Sequence, residues 1–146
     1  MKRLLAIIVL GLMISGCATV EELNYTTPSG KPEVLIQNAN IKNIKSQIIN
    51  DYLSKGGTIE KESDFSISIL IENKNFMGQV LLGTEAGGYK NYERLTFNFA
   101  KLNSDIKVFG QHYFVTGYNT TKENANLMES NSSLNQMMSY LKTLKY

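Results

Sequence analysis

The chain has 146 residues, a formal net charge of +2, one cysteine and one histidine. This length suits a single domain, and a lone cysteine excludes an internal disulfide. One histidine and one cysteine are too few for a zinc site, and 13 acidic residues nearly balance 15 basic ones, so we expect no metal, no cofactor and no nucleic-acid partner.

The N-terminus has the layout of a secretory signal peptide. Lys2 and Arg3 supply positive charge, and residues 4–14 form an apolar run. That run is shorter than the roughly 20 residues needed to cross a hydrocarbon core. It ends in Ile14-Ser15-Gly16-Cys17, where small residues precede the cysteine.

This ending resembles the signal of bacterial lipoproteins. The resemblance implies that residues 1–16 are removed and that Cys17 carries a diacylglyceryl group and usually an acylated amino terminus. Several acyl chains make membrane attachment durable, whereas a single chain binds only marginally. The alternative for Cys17 is an ordinary buried thiol. Because Ala18 rather than aspartate follows the cysteine, the resemblance favours the outer membrane, or the outer face of the plasma membrane in a bacterium with one membrane.

The rest of the chain divides into a linker and a domain. Removing residues 1–16 leaves 130 residues with 13 basic and 13 acidic side chains. Residues 17–32 are polar and lack an apolar period, so we predict a lipidated tether that spans on the order of 20 Å when flexible. Residues 33–146 are then expected to form one domain.

The first part of this domain predicts a strand, a helix and two further strands. Residues 34–36 form the first strand, Asn40 is a candidate N-cap, and Gly56-Gly57 ends the helix. The apolar residues of the helix recur with a 3.6-residue period at Ile41, Ile44, Ile48 and Tyr52. Residues 58–62 form a polar second strand. In the third, over residues 65–71, alternation assigns to the core Phe65, Ile67, Ile69 and Ile71.

The second part predicts a hairpin and a terminal helix. Residues 92–102 place Leu95, Phe97 and Phe99 on one face, and a turn leads into a strand over residues 106–118. Gly110 predicts a bulge there. Residues 119–130 are expected to be a loop, after which Asn131 or Ser132 caps a helix. Its apolar residues are Leu134, Met137, Met138, Leu141 and Leu144.

These elements predict an α+β domain in which an antiparallel sheet of about five strands, in the order β-α-β-β-β-β-α, packs two helices on one face. The order resembles TATA-binding-protein-like or helix-grip domains, which also occur in lipoprotein subunits of the outer-membrane barrel assembly machinery. This resemblance implies a fold and not a function.

Three features of the sequence are candidate chemical sites. His112 is the only histidine, so a nucleophile–base pair would have to use it, with a serine and a carboxylate brought near by folding. No Gly-x-Ser-x-Gly elbow is present, and the alternative is an ordinary half-exposed histidine on a strand. Glu60 and Glu62 are predicted to share a strand face, either as paired carboxylates or as a solvated edge. Gly83 and Gly88 have phosphate-loop spacing, but the required Lys-Ser/Thr does not follow. We therefore predict no catalytic residues.

An apolar run at residues 76–82 lies between two predicted strands. It is either part of the core or an adaptable surface that contacts a partner protein, a lipid-like ligand or the membrane. The candidate contact residues are Phe76, Met77, Val80, Leu81 and Leu82.

The sequence thus leads to the hypothesis of a non-catalytic, membrane-anchored envelope lipoprotein that binds another envelope protein. The alternative is a carrier or sensor of an apolar ligand held between the sheet and its helices. An enclosed apolar cavity would favour the carrier, and polar groups converging near His112 would favour an enzyme.

Overall fold

The computed structural model describes residues 21–74 and 90–145, and these form an α+β domain. Two helices and six antiparallel strands account for its regular structure. In chain order the elements are β1 (Glu33–Ile36), α1 (Ile41–Leu53), β2 (Thr58–Ser63), β3 (Ser66–Glu72), β4 (Tyr92–Leu102), β5 (Asp105–Thr116), β6 (Asn124–Leu127) and α2 (Asn131–Leu141).

The sheet has the strand order β1-β5-β4-β3-β2, and β6 also pairs with β5. Strand β4 occupies one edge of β5, so β1 and β6 share the other edge. There β1 pairs with residues 106–109 and β6 with residues 113–116. The shared edge of β5 is therefore divided between two short strands.

Helix α1 forms as its apolar period predicts. The Asn40 side chain accepts a hydrogen bond from Lys42 N at 2.8 Å, which satisfies one of the amide groups left open at a helix start. Ile44 and Ile48 are fully buried, and Tyr52 is nearly so. The predicted cap and buried face are both confirmed.

A hydrophobic core joins both helices to one face of the sheet. As predicted, β4 contributes alternate residues to it. The core side chains include Ile67, Ile69, Leu95, Phe97, Phe99, Ile106 and Val108 from the sheet, with Ile44, Ile48, Tyr52, Met137, Leu141 and Leu144 from the helices and the segment after α2. Tyr52, Phe97 and Tyr140 pack their rings together, with centroids 4.9 to 6.0 Å apart.

Phe65 does not belong to the core, contrary to the prediction. Strand β3 begins at Ser66, so the alternation stops before Phe65, which lies in the β2–β3 turn with its side chain 66% exposed. Its backbone oxygen still accepts a hydrogen bond from Phe99 N at 2.8 Å. Ile67 and Ile69 are fully buried as predicted, and Ile71 is half-buried against the core.

Gly110 does not form a bulge. The pairing of β4 with β5 runs without a break from Tyr92–Val115 to Leu102–Asp105. The glycine is needed for another reason: a Cβ atom at this position would overlap the side chain of Met137. The register shift that does occur lies between β2 and β3, at Glu60.

The sixth strand, β6, falls in a region predicted to be a loop. All four of its residues are exposed, so it has none of the apolar alternation that marks a half-buried strand. The N-cap of α2 is Ser130, one residue earlier than predicted, and its hydroxyl accepts a hydrogen bond from Ser133 N.

Candidate functional site

A small cavity lies where the shared edge of β5 is divided between β1 and β6. Its volume is about 200 Å³, and most of its walls are apolar. We call it the edge cavity. It is lined by residues 29–32, Gly110, Gln111, His112, Leu127, Met128, Glu129, Ser133, Leu134 and Met137.

Two backbone hydrogen bonds border this cavity along β5. Gly110 N donates to Pro32 O at 3.1 Å, and Met128 N donates to His112 O at 2.8 Å. Gln111 is thus the only residue of β5 between the chain leading into β1 and the chain leaving β6. Helix α2 supplies the remaining wall through Ser133, Leu134 and Met137.

His112 joins three elements beside the cavity. Its Nδ1 lies 2.9 Å from Ser133 Oγ on α2, and its Nε2 lies 3.0 Å from Glu93 Oε2 on β4. The hydrogen bond from His112 lowers the pKa of the Glu93 carboxyl, although partial burial opposes this shift. Folding therefore brings a serine, an imidazole and a carboxylate into contact, as a serine nucleophile would need.

The surroundings of Ser133 favour a structural role for this contact. Ser133 is only 3% exposed. Its amide group donates to Ser130 Oγ at 3.3 Å, and the amide of Leu134 donates to Ser130 O at 3.0 Å. These two amides are thus engaged in capping α2 and do not point to an oxyanion, which is the group that such donors stabilise in acyl transfer.

The N-terminal segment is bound to α2 by a second polar cluster, which we call the N-terminal contact. The side chain of Asn135 donates to Glu21 Oε1 at 3.0 Å and to Glu22 O at 2.7 Å, and it accepts from Asn24 N at 2.9 Å. Asn131 Nδ2 donates to Glu21 O at 2.7 Å. The described part of the predicted tether is thus held against the domain at its start.

No sequence pattern predicts this contact, because hydrogen bonding to a distant backbone leaves no periodicity. The one available signal is Asn135 itself, a polar residue among the apolar positions of the helix. It is buried, with 4% exposure, and three hydrogen bonds satisfy its amide. Such a buried amide is stable only when its partners are in place.

The opposite face of the sheet carries an ion-pair cluster. Arg94 Nε donates to Glu60 Oε2 at 2.6 Å, and its Nη2 donates to Glu60 Oε1 and to Glu123 Oε1, the latter at 2.8 Å. Glu62 instead pairs with Lys45 on α1 at 3.3 Å. The predicted pairing of Glu60 with Glu62 on one face is therefore wrong, because the register shift at Glu60 turns the two side chains to opposite faces.

Several predicted positions lie outside the described residues. These are Cys17, the candidate contact residues of the run 76–82 and the glycines of residues 83–88. Within residues 21–74 and 90–145, no group of three His, Cys, Asp or Glu side chains could hold a metal ion. Over the same part of the chain, neither helix has the length and apolar character that a membrane span requires.

Comparison with known proteins adds no relative: no family model matches the chain, and neither a curated protein nor a solved structure matches it.

Proposed function

We propose that this protein is a lipid-anchored, non-catalytic envelope protein that acts by binding another protein near the membrane surface. The observation that supports it best is the N-terminal contact. It holds residues 21–24 on α2 through Asn131 and Asn135, so the start of the domain has a defined position relative to the chain that precedes it.

The N-terminal contact also limits how far the domain can lie from Cys17. Four residue steps separate Cys17 from Glu21, and an extended chain spans at most about 3.6 Å per residue, or roughly 14 Å in all. If Cys17 carries acyl chains in the bilayer, the N-terminal end of α2 is held close to the lipid headgroups. The edge cavity lies at the same end of α2, so it too would lie near the membrane.

Two features favour binding over catalysis. The hydroxyl of Ser133 is buried and bonded to His112, so a substrate would have to displace packed groups to reach it. The edge cavity, by contrast, is mostly apolar and borders the exposed residues Lys31, Leu127 and Glu129. Protein interfaces likewise have an apolar centre surrounded by polar residues.

The anchor is tested by Cys17→Ser. This variant removes the only acyl acceptor, so we expect an unprocessed precursor that takes up no radiolabelled palmitate. Ser15→Ala, which keeps a small residue before the cysteine, should still be processed and labelled. Processing and membrane attachment of Cys17→Ser like those of the wild type would refute the lipid anchor.

Binding is tested in native membranes with a photoreactive amino acid. Lys31 lines the edge cavity and Lys42 lies on α1, and both are exposed. We expect a discrete adduct with another protein from position 31, none from position 42, and loss of the adduct in the Cys17→Ser background. Equal labelling from the two positions, or none from either, would contradict the proposal.

A carrier or sensor of an apolar ligand is the second candidate. The space between the sheet and the helices is filled by Ile44, Ile48 and Phe97, which are fully buried, so a ligand would have to bind nearer the surface, and the edge cavity is one such place. An apolar cavity of about 150 Å³ can bind benzene. Native mass spectrometry of protein released from its own membranes would detect such a ligand, and Leu127→Lys should abolish its retention.

A further inference from the structure

We infer that the chain leading into the domain is a detachable strap: residues 21–26 leave α2 as a unit while the domain stays folded, and their release lengthens the tether to Cys17. We call residues 21–26 the strap. For its effect at the membrane the inference rests on the proposed function, since a longer tether matters only if Cys17 is anchored. Detachment itself follows from how the strap is held, from a buried hydroxyl within it and from where the core begins.

The strap is held on α2 by hydrogen bonds and buries little apolar surface. Residues 21–24 and Thr26 are exposed, and the side chain of Leu23 is 45% exposed. The bonds that hold it come from Asn131 and Asn135. On release, water replaces each of these bonds, so the net cost of breaking them is small. A segment with few buried apolar contacts opens before the rest of the fold.

Tyr25 makes the docked position of the strap less favourable. Its hydroxyl is buried and has no hydrogen-bond partner within residues 21–74 and 90–145. Burial also raises the pKa of this phenol. A buried polar group without a partner costs free energy, and release of the strap returns the hydroxyl to water. Tyr25 therefore favours the released strap, whereas Asn135 favours the docked one.

The hydrophobic core does not depend on the strap. Along the described part of the chain, Val34 is the first residue that belongs to the core or packs against it. On the helix, the groups that bond to the strap are the amides of Asn131 and Asn135, which water can satisfy. Release therefore leaves the domain folded.

A closed turn marks the point where the released segment ends. Gly30 N donates to Thr27 O at 3.0 Å, and Thr27 Oγ1 donates to Lys31 O at 2.7 Å. Gly30 has a φ of +68°, a conformation that glycine adopts without strain. Pro32 O then accepts from Gly110 N on β5. The turn is thus closed by its own bonds and fastened to the sheet behind it, so the chain can swing free up to Thr27.

Release changes the distance that the tether can span. With the strap docked, four residue steps from Cys17 to Glu21 allow about 14 Å, and with it released, ten steps from Cys17 to Thr27 allow about 36 Å. The docked strap thus confines the domain to the neighbourhood of the headgroups. The released strap lets it reach a partner that lies further from the bilayer.

Hydrogen exchange at the Asn24 amide, which donates to Asn135, tests detachment in protein solubilised from its own membranes. Tyr25→Phe should slow this exchange at least about fivefold, because the docked strap no longer buries an unpaired hydroxyl. Tyr140→Phe is the matched control, since it removes a tyrosine hydroxyl that is bonded to Asp51 at 3.1 Å. It should lower the stability of the domain and leave exchange at Asn24 unchanged, because the strap opens locally.

Two results would overturn detachment. One is exchange at Asn24 that is unchanged or faster in Tyr25→Phe. The other is exchange at Asn24 that accelerates in Tyr140→Phe together with that of core amides such as Ile69, because the strap would then open only when the whole domain unfolds.

Energy transfer tests the change in reach. The acylated protein carries a donor dye at Lys42→Cys, an exposed position on α1, and phosphatidylcholine vesicles carry an acceptor on their headgroups. Asn135→Ala should lower the transfer efficiency, and Gln136→Ala should not. Equal efficiencies in the two variants would refute the longer reach. Failure of the lipid anchor would give protein that does not bind the vesicles but would leave the hydrogen-exchange results intact, so the two failures are distinguishable.

Discussion

The side chain of Met137 on α2 packs so closely on the backbone of Gly110 in β5 that a methyl group on Gly110 would overlap its sulfur. This approach brings α2 down onto the sheet beside the divided edge of β5. It also makes Met137 a wall of the edge cavity. The contact between these two residues thus determines both the packing of the helix and the shape of the cavity.

Gly110→Ala should therefore destabilise the domain by about 1 to 3 kcal/mol, the usual cost of adding a methyl group to a well-packed core. The free energy of unfolding in urea measures this. In a Met137→Ala background the added methyl group no longer overlaps Met137 and keeps only an ordinary contact with Leu141, at 3.4 Å, so Gly110→Ala should cost much less there. Equal costs in the two backgrounds would show that the two residues do not interact.

A pair of isoleucines tests the assignment of buried positions. Ile69 on β3 is fully buried, and Ile59, directly opposite on β2, is 38% exposed. Ile69→Ala should lower the free energy of unfolding by about 2 to 5 kcal/mol, because a buried truncation leaves a cavity. Ile59→Ala should cost about 1 kcal/mol or less. Equal losses would mean that Ile59, at the edge strand, is as well buried as Ile69.

The N-terminal contact predicts a local change in dynamics. Asn135→Ala removes the acceptor of the Asn24 amide, so hydrogen exchange at Asn24 should become at least about tenfold faster, as expected for losing a hydrogen bond worth roughly 1.4 kcal/mol. Gln136→Ala, at the exposed neighbouring position, is the control and should leave this rate unchanged. Slow exchange that persists in Asn135→Ala would rule out the contact.

The ion-pair cluster predicts a pH dependence. Hydrogen bonds from Arg94 and from the Asn119 backbone hold the pKa of Glu123 below its ordinary value of 4.5. A carboxyl with a lowered folded-state pKa stabilises the fold above its unfolded pKa, and the effect is lost as the pH falls through the folded value. Wild type should thus exceed Glu123→Gln in stability at pH 7, and the difference should shrink below about pH 4.5.

Urea unfolding of both proteins from pH 7 to pH 3 measures that difference. Glu129→Gln is the control for losing one exposed negative charge at the edge cavity. A stability difference between wild type and Glu123→Gln that stays constant over the whole pH range would contradict a contribution from the ionised carboxylate.

Periodicity determined most of the fold. The helical spacing of Ile44, Ile48 and Tyr52 and the alternation of Leu95, Phe97 and Phe99 both follow from which side chains must leave water, and this is a local property of the chain. The same reasoning failed at Phe65 and at β6. In the first case the strand began one residue after the start of the apolar pattern, which left Phe65 in the turn. In the second, an exposed edge strand had no apolar pattern to detect.

Only the tertiary structure decided what surrounds the cavity. Residues 29–32, 110–112 and 127–129 meet there with three residues of α2, Ser133, Leu134 and Met137. They come from separate parts of the chain, and nothing in their local sequence indicates that they will meet. Gly110 illustrates the difference: its sequence context indicated a bulge, but the close approach of Met137 is the reason for the glycine. Likewise, Asn135 holds the N-terminal segment against α2 through three hydrogen bonds. Such bonds join groups by distance and direction, which are fixed only when the chain has folded.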